Sequence, residues 1–194
     1  MLRLRTLAKI IFFVGFLGLL AACGSSGSDP RAIGDKGPAG GWVFYVTDGG
    51  LHGMEASLVN LTTAPWGCSG SNLQGADAEG IGTGATNTAD ILTNCPETPI
   101  AADVAIFYTQ NGFSDWFLPS IEELELMYLN IGQGSTTIGN VGGFSNIEYW
   151  SSTEEENDIQ GTQAWAFHFG GQFAGLRCSC GKTGVRGVRA ARAF

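Results

Sequence analysis

The chain has 194 residues, with 10 basic and 18 acidic side chains, a formal net charge of −8 and 44% hydrophobic residues. That length suits one domain. The acidity argues against a nucleic-acid ligand and against broad adsorption to an anionic lipid surface.

Arg3, Arg5 and Lys9 open the chain on positive charge, and residues 10–20 are apolar apart from Gly15 and Gly18. The run is too short to span a bilayer comfortably and fits the core of a signal peptide. It ends in Leu20-Ala21-Ala22-Cys23, which resembles the lipobox of bacterial lipoproteins. The expectation is cleavage after residue 22, leaving Cys23 acylated on its sulfur and its amine. Several acyl chains anchor a protein firmly where a single one does not. Cleavage removes three of the ten basic residues and no acid, so seven face eighteen and the net charge becomes −11. Gly24, where an acid could have stood, points to the outer membrane of a two-membrane cell. Residues 24–33 are small and polar and read as a tether. The organisation expected is therefore a signal peptide over 1–22, a lipidated cysteine and tether over 23–33, and one domain over 34–194.

Residues 34–40 make a turn; two Gly-X-Y triplets there are too few for a collagen helix. Residues 41–47 form an aromatic and β-branched run, a strand expected to be covered on both faces. Asp48-Gly49-Gly50 is a turn, and residues 55–60 read as the partner strand. Residues 62–87 are a long loop of small polar residues, and such loops are usually functional or stapled. Short helices are predicted over 88–94 and 100–108, the first ended by Pro96 and the second near Gly112. Pro119 then breaks the chain, and Ser120 with Glu123 makes a capping box. Ile121, Leu124, Met127, Tyr128 and Ile131 follow at helical spacing, and Gly132 stops them. Tyr149-Trp150 begins a further strand, and residues 163–169, 172–177 and 185–191 read as antiparallel strands. There is no internal repeat.

Four cysteines remain after Cys23, and export permits disulfides. Cys68 and Cys95 would close a loop of about 28 residues, worth up to roughly 3–4 kcal/mol in the chain-entropy model. Cys178 and Cys180, one residue apart, could bridge each other, bridge another chain or stay as thiols. The spacing of the four makes no pair of zinc knuckles.

Several motifs combine along the chain: Gly-Pro-Ala-Gly-Gly-Trp-Val-Phe-Tyr-Val-Thr-Asp-Gly-Gly at 37–50, Trp-Gly-Cys at 66–68 and Ile-Gly-Thr-Gly at 81–84. Asp-Trp-Phe-Leu-Pro-Ser at 115–120, Tyr-Trp-Ser-Ser-Thr-Glu at 149–154 and Val-Arg-Gly-Val-Arg-Ala at 185–190 complete the set. Together they resemble the DUF1566 family, also called the Lcl C-terminal domain family, over about residues 33–194. The resemblance implies an α+β, C-type-lectin-like fold, with short antiparallel sheets, two or three helices and long loops, related to the formylglycine-generating sulfatase-modifying fold. It also implies an exported protein, often a lipoprotein, of a family in which several members look like surface adhesins for polysaccharides and most have no known activity. Cys178 and Cys180 depart from the family's usual ending. Members of this kind often follow collagen-like repeats; no such stalk is present here, so no trimer is implied and the oligomeric state is open.

Trp116, Trp150 and Trp165 have the chemistry to stack on a sugar face, but tryptophans within strands more often pack the core. Loop residues are better ligand candidates. Asn146, Glu154, Glu155, Glu156, Asn157 and Asp158 are the candidate ligand residues, flanking the central stretch. The run 154–158 offers hard oxygens to calcium, although its spacing matches no EF-hand and a solvated acidic loop is the simpler reading. Arg186 and Arg189, three apart, would face opposite sides of the final strand, one of them pairing with an acid such as Asp115. His52 and His168 fall in no catalytic pattern. No cofactor is expected. A cysteine pair holding copper, as in formylglycine-generating oxidases, is a weaker reading because one intervening residue is not that spacing. The expectation is a non-catalytic module on a lipid anchor that binds a polysaccharide or other surface ligand; the alternative is a structural envelope protein that binds another protein.

Overall fold

The computed structural model describes residues 29–194. Cys23, the stretch expected to be a signal peptide and the first part of the expected tether lie outside the described residues. Two small antiparallel sheets of three strands each and three helices make an α+β fold. No helix among the described residues is long and apolar enough to cross a membrane.

The first sheet has the order β1-β2-β6, from β1 (Trp42–Thr47), β2 (His52–Ala56) and β6 (Ala191–Ala193). The tight turn between β1 and β2 runs through left-handed backbone at Asp48, Gly49 and Gly50. Gly50 must be glycine twice over, because its φ is +94° and a Cβ there would strike the Arg31 backbone. Pairing resumes at once, with Thr47 opposite His52, so β2 ends at Ala56 rather than running over 55–60. A bulge between Val43 and Tyr45 breaks the alternation of β1. Val43 and Phe44 are buried, whereas Trp42, Tyr45 and Val46 are half-buried, so the strand is not covered on both faces.

The second sheet has the order β3-β4-β5, from β3 (Glu148–Glu154), β4 (Gln163–His168) and β5 (Arg177–Gly181). The strand expected over 172–177 is instead a 3-10 turn (Gly171–Phe173) and a left-handed Gly175, which return the chain so that Arg177 meets Phe167. The last segment also differs from expectation. Residues 185–190 make only single bridges, from Arg186 to Ala64 and from Gly187 to Tyr149, before Ala191 reaches both Phe117 and β2. That segment sutures the two sheets together.

Helix α3 (Ile121–Ile131) has the predicted capping box. The Ser120 hydroxyl accepts from the Glu123 N–H at 3.3 Å, and the Glu123 carboxylate accepts from the Ser120 N–H at 2.9 Å. Its buried face, Ile121, Leu124, Met127 and Ile131, packs with Phe44, Tyr149, Phe167 and Phe169 into one core cluster. A second cluster gathers Trp66, Ile91, Ile100, Trp116, Leu118, Trp150 and Val188 beside helices α1 (Gly84–Asn94) and α2 (Ala101–Ile106). Trp116 and Trp150 are thus packing residues, and Trp165 lies half-buried against the first cluster.

Candidate functional site

Long loops keep a defined shape here because buried charged side chains hold their backbones. Glu123 does so for the 81–84 loop. Its carboxylate takes the Gly82 N–H at 2.7 Å and the Gly84 N–H at 3.4 Å, besides that of Ser120. Burial pushes its pKa up, against the opposing pull of those amides. Helix α1 therefore starts at Gly84, four residues before the sequence suggests, because the acid that satisfies its first amides comes from another helix.

Arg189 performs the same task for the loops carrying Ser57, Asn60 and Gly142. Its guanidinium is fully buried and donates to Ser57 O at 2.8 Å, Asn60 Oδ1 at 2.8 Å and Gly142 O, with the Phe144 ring 4.2 Å away. Burial lowers its pKa to about 10, with Tyr149 and Tyr108 opposing, so it stays charged at neutral pH. Arg186 turns elsewhere, to Glu148 at 2.5 Å and over the Trp150 ring. Neither arginine pairs with Asp115. That partner is Arg192, whose Nε lies 2.6 Å from Asp115 Oδ1, and Asp115 is exposed rather than buried.

The acidic run 154–158 is divided by its environment. Glu154 closes β3 and points inward, accepting from the Leu73 N–H at 2.7 Å and from Lys182 Nζ. Lys182 is itself fully buried; it also donates to Ser71 O at 2.8 Å and sits 4.6 Å above the Trp66 ring. Asp158 folds its own turn. Burial alone would raise its pKa, but the Thr162 hydroxyl and the N–H groups of Gln160, Thr162 and Gln163 outweigh it and hold the carboxyl below its ordinary range. Glu155 accepts from Asn157 at 3.4 Å, and Glu156 and Asn157 are exposed. Asn146 accepts from Gln133 at 2.9 Å on the loop before β3. It therefore lies beyond the opposite end of a strand about 20 Å long, apart from the acidic run.

What the Glu154–Lys182 pair does bring together is the loop at 71–77 and the end of β3. Between them lies a cleft of about 280 Å³ lined by Asn72, Gln74, Asp77, Glu155 and Glu156, with Glu154 in its wall. Two amides and several carboxylates converge on one concavity, a donor and acceptor set suited to hydroxyl groups. No three of those carboxylates bring oxygens within 4.8 Å of one another; among the described residues that proximity occurs only at Cys68, Cys95 and Glu97. Asn72, Gln74 and Asp77 carry no periodic signal in the sequence, and only the partner fixed by Lys182 places them.

A second concavity, of about 520 Å³, is chiefly apolar and lies between residues 61–62 and α2. Leu61, Pro99, Val104, Phe107 and Tyr108 line it, with Thr62, Thr98 and Asp103 as its polar members. Phe107 is 77% exposed. The helix predicted over 100–108 includes Phe107, but α2 ends at Ile106 and leaves the ring exposed.

Cys68 pairs with Cys95 across 27 positions, and Cys178 with Cys180 within β5. The molecule is thus an α+β domain whose loops are pinned by disulfides and buried ion pairs beside the polar cleft and the apolar concavity. No family model matches the chain. A comparison with curated proteins also finds no match.

Proposed function

We propose that this chain is a non-catalytic binding module of the bacterial envelope, held by lipid on Cys23, that recognises a polysaccharide or another glycan-bearing surface. The observation that carries the reading is the polar cleft. The loop within 62–87 and the acidic run within 132–158, separate in sequence, meet there with amides and carboxylates facing one space. A buried ion pair fixes both walls, so the cleft is ordered before any ligand arrives. The likeness of the sequence motifs to the DUF1566 family, and the C-type-lectin-like fold that likeness implies, agree with this reading.

A glycan array probed with residues 30–194, with and without calcium, tests it. Binding that falls at least about tenfold in Asp77→Asn and Glu156→Gln, with melting temperature unchanged, supports the cleft as the site. A blank array at high protein concentration overturns the glycan reading. A protein-binding role in envelope assembly is the second reading, and the exposed Phe107 beside the apolar concavity favours it. In that case a co-purifying envelope protein is lost on Phe107→Ala while the cleft variants retain it.

A further inference from the structure

We infer that Cys68, Cys95 and Glu97 form a zinc site whenever the disulfide between the two cysteines is reduced to the dithiol. The two sulfurs and one Glu97 carboxylate oxygen all lie within 4.8 Å of one another. Thiolates and a carboxylate are zinc ligands, and three protein ligands leave the fourth position to water. That position is open, because both cysteines are buried while Glu97 faces solvent.

The backbone around the three ligands is held by contacts other than the sulfur–sulfur bond. Glu97 is already turned to the site, its Oε2 accepting the Cys68 N–H at 2.8 Å. The Cys68 carbonyl takes the Ser71 N–H at 3.2 Å, and the preceding Trp66 N–H is held by Lys182 O at 2.9 Å. Cys95 caps α1 through its N–H to Ile91 O at 2.8 Å. Gly67, at φ +100°, lets the backbone approach Ile100 and the Cys95 sulfur closely, which a side chain would prevent. Opening the bond lets the two sulfurs move apart while these contacts keep them beside the Glu97 carboxylate, and a borderline-soft divalent ion fits that set better than calcium or magnesium.

The chemistry balances with a phosphine as reductant. The S–S bond breaks, the phosphine takes oxygen from one water to become its oxide, and the two hydrogens of that water end on the two sulfurs. Zinc then displaces both thiol protons to the solvent. The metal closes again the loop between residues 68 and 95 that reduction had opened. Cys178 and Cys180 have no third ligand within the same reach among the described residues, and replacing them with serine leaves Cys68 and Cys95 as the only described thiols after reduction.

The experiment uses the full chain in detergent, carrying Cys178→Ser and Cys180→Ser, reduced with a phosphine and desalted under nitrogen. One zinc per chain is expected by elemental analysis, with a cobalt–thiolate charge-transfer band when cobalt replaces zinc. Zinc should also raise the melting temperature of the reduced protein, and the oxidised protein should take up none. Glu97→Gln should weaken zinc at least about tenfold, and Cys68→Ser should abolish uptake. Lack of uptake by the reduced chain overturns the site, as does equal uptake by Glu97→Gln. If reduction unfolds the protein, zinc must restore its near-ultraviolet circular dichroism; failure to do so is equally decisive against it.

Discussion

Glu55 and Arg192 are direct cross-strand partners on β2 and β6, with Arg192 Nη1 3.0 Å from Glu55 Oε1. Glu55 is fully buried and also accepts the N–H groups of Ala39 at 2.9 Å and Gly41 at 2.7 Å. Arg192 continues to Asp115 and lies 4.0 Å from the Phe113 ring. One carboxylate thus holds the loop at 37–41, the middle strand of the first sheet and the last strand of the chain. The glycines of that loop have a physical purpose: a Cβ on Gly37 would stand 2.5 Å from the Glu55 carboxylate.

Breaking that hub by removing one charge leaves the other buried. Glu55→Ala is expected to cost about 3–5 kcal/mol, because Arg192 and two amides lose their acceptor together. Gly37→Ala should cost less, about 1–3 kcal/mol, since it displaces the carboxylate without deleting it. Urea unfolding of the two variants checks the order. Equal midpoints for Glu55→Ala and the parent would show that the hub contributes nothing.

The ion pair of Glu154 and Lys182 supports a sharper test because both partners are buried. Lys182→Ala should destabilise by about 3–5 kcal/mol through the stranded carboxylate. Adding Glu154→Leu to Lys182→Met should recover most of that loss, because apolar replacements of similar volume restore packing without a buried charge. The double variant should still lose glycan binding, since the loop at 71–73 loses its anchor to β3. A stable double variant that binds as the parent does would separate the cleft from the function proposed for it.

The parts of this fold that were readable in the sequence are those whose causes are local. Ser120 and Glu123 form the predicted box, and α3 ends at Ile131 before Gly132, because cap, periodicity and stop all lie within one element. The aromatic run of β1 and the strand at β4 were legible for the same reason. The misplaced elements depend on distant partners. Helix α1 starts early on the Glu123 carboxylate, and β2 stops at Ala56 because Ser57 and Asn60 are drawn to Arg189. The site follows the same rule. Glu154 has the composition of a solvated acidic loop, and only Lys182, distant in sequence, turns it inward. Cys178 pairs with Cys180, one of the alternatives left open by spacing alone.

Glu123 predicts a pH dependence. Burial raises its pKa in the folded state above the ordinary 4.5, so folding favours the protonated carboxyl. That contribution is fully present below about 4.5 and is lost as pH rises through the folded-state pKa. Glu123→Gln removes the titration. Measured by urea unfolding, the stability of the parent relative to Glu123→Gln should therefore increase on going from pH 7 to pH 4. A difference that stays constant, or shrinks, over that interval would contradict the assignment.

The two disulfides should differ in what they contribute, because they close loops of very different length. Cys68 and Cys95 are 27 positions apart, and Cys178 and Cys180 only two. In the chain-entropy model the longer loop is worth about 3–4 kcal/mol and the shorter about 2 kcal/mol or less. The Cys68–Cys95 bridge also ties the end of α1 to the loop carrying Trp66, whose indole N–H reaches Ser151 O at 2.9 Å in the core. Replacing both Cys68 and Cys95 by serine should therefore lower the melting temperature more than replacing Cys178 and Cys180. It should also raise amide exchange first over residues 66–80, because that loop loses its staple while keeping its ion pair to β3. Equal losses from the two double variants would mean that the longer loop is held by Lys182 and Glu97 alone, with the covalent bond adding no restriction to the unfolded chain beyond that of the short one.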